Sequence, residues 1–173
     1  MIKKSEIESI FSKELSWIKD KDLRNKVVET WVEAGNRGKW KDVNDAPFTL
    51  LIPNSGRLTD HTKRITGLVK CIYDQRTEKI NGNYLIAGAI LHDVGKLLEY
   101  EFKDGKYVKC AYAEKFRHPV SGALLAKELD LPDEIIYIIY SHSKEGDITK
   151  RSPESIIVNH CDFIDFEIKK SLV

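Results

Sequence analysis

The sequence predicts an all-α fold, a bundle of six or seven helices with one small β-hairpin inserted after its central helix. Three observations predict it. Several segments repeat apolar residues at helical spacing. One segment, "NYLIAGAILHDV", is apolar on nearly every side, as a helix buried at the middle of a domain must be. Only one stretch, "LLEYEFKDGKYVKC", alternates with the two-residue period of a strand.

The elements follow in chain order. The opening "MIKKSEIESIFSKELSWIKD" is charged and helical in pattern, without the apolar core of a signal peptide. In "KDLRNKVVETWVEAG", Leu23, Val27, Trp31 and Ala34 share a face, Asp20 or Asp22 lies near the start, and Gly35 is expected after the end. The stretch "NRGKWKDVNDAPFTLLIPNSGRLTD" is broken by glycine and proline and reads as a wrapping loop. A helix is expected from Thr59 or Asp60, with Ile65, Leu68 and Ile72 on its inward stripe. Gly95 is expected to stop the buried helix, and Asp104-Gly105 to turn the hairpin spanning Leu97 to Cys110. Three further helices follow, the first with Pro119 in its opening turn, the last capped by Ser152 with Pro153 at its first helical position.

Composition narrows the function classes. A chain of 173 residues with 42% apolar and 32% charged side chains suits one folded domain, residues 1–173, and not a disordered tail. No apolar run is long enough to span a membrane. Three scattered cysteines, Cys71, Cys110 and Cys161, suit a reducing cytoplasm better than a disulfide framework. A net charge of +1 argues against a broad footprint for long nucleic acid. Oligomeric state is not readable.

The chemistry-bearing residues stand out against this background. Four of the five histidines, with two aspartates, run in the order His61, His92-Asp93, His118, His142, Asp162. Each falls near the end of an expected helix or on a stripe with core residues. His61 shares the face of Ile65 and Leu68. His92-Asp93 interrupts an apolar helix, where a polar pair needs compensation. Helix ends on one side of a bundle can converge, and imidazoles with carboxylates in a dry interior call for a metal. His160 lies two positions before Asp162, about 200° around a helix, and so is expected to face elsewhere.

This ordered set, at separations of 31, 26, 24 and 20 residues with "HDVGK" at its centre, resembles the HD superfamily of metal-dependent phosphohydrolases. The resemblance covers roughly residues 57–167, with residues 1–56 expected as helices packed on that core. It implies an all-helical fold and two divalent transition-metal ions. One ion would be held by His61, His92, Asp93 and Asp162, the other by His118 and His142 with Asp93 bridging. Imidazole-rich coordination favours Fe or Mn, then Co, Ni or Zn, over Mg. The implied activity is hydrolysis of a phosphomonoester or phosphodiester by a metal-bridged hydroxide. Asp93 and Lys96 are then the catalytic pair. Lys96 is also expected to touch a phosphate oxygen, with Arg64, Arg117 and Lys144 as further substrate-binding candidates and Glu145 beside Lys144 on the rim.

The segment leading through "GRLTDHT" also resembles the HD part of certain bacterial 3′→5′ exoribonucleases. Those carry an additional OB-fold for which the chain has no room, so a small nucleotide-like phosphoester is expected over a long nucleic acid. No GYP triplet follows His142, which departs from the subgroup that cleaves cyclic dinucleotides. The same ligands also resemble diiron oxygenases built on the HD fold. A metal-holding regulatory module without turnover is a third possibility.

Overall fold

The computed structural model describes residues 1–173. Its ten α-helical segments are α1 (Lys4–Ile10), α2 (Ser12–Leu15), α3 (Lys21–Arg37), α4 (Leu58–Asp74), α5 (Gly82–Leu91), α6 (Lys96–Glu99), α7 (Ala111–Lys115), α8 (His118–Glu128), α9 (Asp133–Ser141) and α10 (Pro153–Ser171). Segments α2, α6 and α7 are single turns of 4, 4 and 5 residues, so the bundle proper has seven helices, within the expected range. The one sheet is the hairpin of β1 (Tyr100–Lys103) and β2 (Lys106–Lys109), paired antiparallel from Tyr100↔Lys109 to Lys103↔Lys106. Asp104 and Gly105 turn it with φ of 51° and 78°, the two left-handed positions that a two-residue hairpin loop demands.

Local chemistry explains some boundaries. The Asp20 carboxylate accepts from the Asp22 and Leu23 amides and starts α3; the Ser152 hydroxyl accepts from the Ser155 amide, with Pro153 following as expected. Three expectations shift. Helix α3 runs through Gly35 to Arg37, because Ile2 and Val43 pack directly against Gly35. Helix α4 starts at Leu58, with Arg57 and not Thr59 or Asp60 in the cap position; the Thr59 hydroxyl instead donates to Asn44 Oδ1. The inward stripe of α4 runs Leu58, His61, Ile65, Val69, leaving Leu68 38% exposed. Val69 lies only about 40° from Ile65 around the helix, whereas Leu68 lies some 60° to the other side.

The core is one continuous apolar cluster reaching from Ile2 to Cys161, so the N-terminal helices share it with α4, α5, α8, α9 and α10. At its centre α5 is buried from Leu85 to Leu91. Trp31 anchors α3 on it, fully buried, with Nε1 donating to the Ile90 carbonyl at 3.1 Å. No helix is long and apolar enough to cross a membrane.

The end of α5 is the feature that builds the site. Its helix stops at Leu91, and the chain then tightens into a turn with bonds from Val94 to Leu91, Lys96 to Asp93 and Leu98 to Gly95. Gly95 is no left-handed stop: its φ is −62°. It is a point of close approach, since a Cβ there would lie 2.1 Å from the His118 carbonyl and 2.7 Å from the Gly122 amide. Only glycine lets α8 come this near, and that approach brings His118 to the α5 end.

Candidate metal centre

Five helices deliver the six expected side chains to one point. His61 comes from the first turn of α4, His92 and Asp93 from the turn after α5, His118 from the start of α8, His142 from just past α9, and Asp162 from mid-α10. His61, His92 and His142 are fully buried, Asp93 is 1% and His118 8% exposed. His160 is exposed, on the outer side of α10.

Their distances sort them into two groups that share Asp93. In the first, His61 Nε2 lies 3.1 Å from Asp162 Oδ1, 3.3 Å from Asp93 Oδ2 and 3.2 Å from His92 Nε2. His92 Nε2 is 3.3 Å from the same Asp93 oxygen. In the second, Asp93 Oδ1 faces His118 Nε2 at 3.2 Å and His142 Nε2 at 3.6 Å. One carboxylate thus offers one oxygen to each group.

The other nitrogen of every ring settles which atom is offered. His92 Nδ1 donates to the Ala89 carbonyl at 2.8 Å and His142 Nδ1 to the Ile139 carbonyl at 2.6 Å. His61 Nδ1 meets Asp165 Oδ2 at 2.7 Å, and His118 Nδ1 meets Glu99 Oε2 at 2.9 Å. Carbonyls and carboxylates only accept, so each Nδ1 carries a proton and each Nε2 turns a lone pair inward when the ring is neutral. This is how imidazole ligands of a metal are held.

Charge in the pocket agrees. Burial opposes ionisation of Asp93, but Lys96 and the imidazoles around it outweigh that and hold its carboxyl well below the usual range. Burial would also lower Lys96, and Asp93 reverses the direction. Burial pushes His118 down to about 4, so near neutral pH the ring is uncharged. His61 goes the other way. Burial would lower it, yet Asp162, Asp165 and Asp93 together raise it to about 9. Two buried atoms of the cluster, Asp93 Oδ1 and His142 Nε2, find no hydrogen-bond partner. Unpaired acceptors in a dry interior are costly, and a divalent cation between them removes the cost. The donor set of imidazoles and carboxylates fits such ions.

The remaining candidates sit less centrally. Lys96 is 6% exposed, and its Nζ donates to Asp93 Oδ2 at 2.6 Å and to the Phe48 carbonyl at 2.9 Å. It pairs with the carboxylate that the two groups share. Arg64 gives both Nε and Nη2 to Asp165, at 2.7 and 2.8 Å, so its fork is already engaged. Arg117 Nη1 donates to Glu145 Oε1 at 2.7 Å, and Lys144 is exposed on the 3₁₀ turn Lys144–Gly146.

Four supporting residues escaped the sequence reading. Asp165 lies one turn beyond Asp162 on α10, a spacing that could have flagged it. Glu99 holds both the amide and Nδ1 of His118 and pairs with Lys109 on β2. Phe48 stacks on the His61 ring at 3.7 Å from inside a loop without periodic pattern. Asn159 also contributes, donating to the His142 carbonyl at 2.6 Å.

Comparison with known proteins agrees with this geometry. The family model of the HD domain matches residues 58–166. The dihydroneopterin 2′,3′-cyclic phosphate phosphodiesterase of Methanocaldococcus jannaschii is 32% identical over 166 residues, covering 87% of this chain and 66% of the relative. The chain therefore spans just under two thirds of the length of that curated relative. No solved structure matches.

Proposed function

The chain belongs to the HD-domain family, and from that premise we propose that it is a metal-dependent hydrolase of small phosphoesters. The observation that carries this proposal is the convergence of four imidazole Nε2 atoms on the two oxygens of Asp93, with every Nδ1 fixed by an acceptor. His61, His92, Asp93 and Asp162 would hold one ion, and Asp93, His118 and His142 a second; Fe or Mn suits this set best. When bound, such ions supply Lewis acidity, lowering the pKa of a water and offsetting charge on phosphoryl oxygens.

The chain's own residues do the rest. Asp165 and Glu99 orient His61 and His118, and Lys96 keeps Asp93 ionised while fixing the direction of Oδ2. Phe48 closes one side of the cluster against water. Asp162 is the least buried of the first group, at 16% exposure of its side chain, so substrate would enter past it and past His118. Arg117, next to His118 and half-exposed, is the cation placed to meet a phosphate there. The relative's name points to a cyclic phosphate as substrate, which supports a small, nucleotide-like phosphoester as the class for this chain.

The test is an anaerobic panel of phosphomonoesters and 2′,3′-cyclic phosphodiesters with metal-stripped protein reloaded with Mn, Fe, Co or Ni. Phosphoester cleavage without oxygen is the expected result. Oxygen consumption in a parallel aerobic assay, with no anaerobic cleavage, would assign the centre to oxygenase chemistry instead. Neither activity with any metal would leave a regulatory module.

A further inference from the structure

A cavity of about 850 Å³ opens between the end of α3 and the hairpin, and none of the six cluster residues lines it. Its walls carry Trp40, Tyr100, Phe102, Tyr107 and Tyr112. Trp40 and Tyr107 stack with ring centroids 5.5 Å apart and 23° between planes, and Phe102 meets Tyr107 edge-on at 5.0 Å. The Trp40 indole is fixed by donation to the Leu97 carbonyl at 2.7 Å. Yet Phe102 remains 65% exposed and Tyr112 44% exposed. Aromatic rings held open to water beside a rigid stacked pair form a surface that a flat ring would cover.

The polar rim completes the description of the ligand. Arg37, Lys39 and Lys41 line the cavity, with Asp45 and Glu101. Arg37 is already bonded to Glu33 and Glu128, whereas Lys39 and Lys41 are exposed and flank Trp40 in the chain. Two exposed lysines in the wall that carries the aromatic rings suit an anion borne on a flat ring.

We propose that this cavity binds a planar aromatic ring bearing an anionic group, of the nucleotide class, at a site separate from the metal centre. Tyr100 belongs to the cavity wall. It is 5% exposed and feels the charge of Lys96, the partner of Asp93. The inference does not depend on hydrolysis or on bound metal, so it can fail or stand independently of the proposed activity.

Calorimetric titration of the metal-stripped full chain with GMP, guanosine and inorganic phosphate tests it. GMP should bind with one-to-one stoichiometry, guanosine more weakly, and phosphate more weakly still. Phe102→Ser, at an exposed position that leaves the core intact, should weaken GMP on the order of tenfold. The double substitution Lys39→Gln and Lys41→Gln should reduce GMP to the affinity of guanosine. His118→Ala should leave GMP binding unchanged. Absence of GMP binding at millimolar concentration would overturn the proposal. So would affinity indifferent to both cavity variants, phosphate binding as well as GMP, or GMP binding lost with His118→Ala.

Discussion

The two halves of the His/Asp cluster share Asp93 but solve the same electrostatic problem differently. The first half has a second carboxylate, Asp162, and its other members all lie within hydrogen-bond distance of His61. His61, raised to about 9, keeps a proton among Asp162, Asp93 and His92. The second half has no carboxylate of its own. His118 stays neutral, pushed down to about 4 by burial, and both unpartnered cluster atoms, Asp93 Oδ1 and His142 Nε2, are found there. One half holds a proton among its own acceptors; the other leaves two buried atoms without a partner. The difference teaches that two sites built from similar ligands need not fill alike.

The change that breaks both halves at once is Asp93→Asn. It keeps the side-chain shape but removes the charge that faces all four imidazoles. Metal content by elemental analysis should fall from about two ions to near none, and hydrolysis by on the order of 10³-fold or more, beyond the 10–100-fold typical of supporting residues. Retention of both ions would end the comparison, because neither half would then depend on the shared carboxylate.

His118→Ala sharpens it. Only the second half loses a ligand, so stoichiometry should drop from about two to about one while the remaining ion stays on His61, His92, Asp93 and Asp162. Unchanged stoichiometry would mean the second group holds no ion.

Protonation separates the halves in a third way. With His61 protonated below about 9 and His118 neutral above about 4, an ion entering the first half near pH 7 must displace the His61 proton, whereas one entering the second displaces none from His118. In the His118→Ala protein, which isolates the first half, affinity should therefore rise with pH by about tenfold per unit, about a hundredfold between pH 6 and 8. Titration calorimetry in buffers of different ionisation enthalpy counts the proton directly. A pH-independent affinity would show that His61 is neutral before the ion arrives.

How far the sequence foretold this arrangement depended on the kind of signal each residue carried. Asp20, Ser152-Pro153 and Asp104-Gly105 act through bonds or dihedrals within a few residues, so their roles are local and legible. The six cluster residues were legible for another reason: ionisable side chains on an apolar background are few, and they fell in a recognisable order. Glu99 and Phe48 had neither advantage. Glu99 sits where a strand-like alternation was expected, and its partner His118 is held there only because Gly95 lets α8 approach. Phe48 reaches His61 from an aperiodic loop, which only the closed tertiary structure positions. The same approach at Gly95 explains why a glycine expected to end a helix instead packs two of them together.

The smallest expected effect concerns Arg64, where sequence and structure assign different roles. The sequence placed it as a phosphate binder one turn from His61. The structure has its guanidinium gripping Asp165 with two bonds, while Asp165 also receives the His61 Nδ1 proton. Asp165 is held below the ordinary carboxylate range, burial opposing and Arg64 then His61 prevailing. Removing Arg64 therefore loosens the support of one ligand without touching any ligand atom. Because the Arg64 side chain is 47% exposed, solvent screens much of the interaction. Arg64→Ala should weaken retention of the first-half ion by only about twofold to fivefold, leaving the second half and KM unchanged. A raised KM with full metal content would restore Arg64 to the substrate and separate it from Asp165. A metal loss confined to the first half would instead show that the two halves differ in what stands behind their ligands as well as in the ligands themselves.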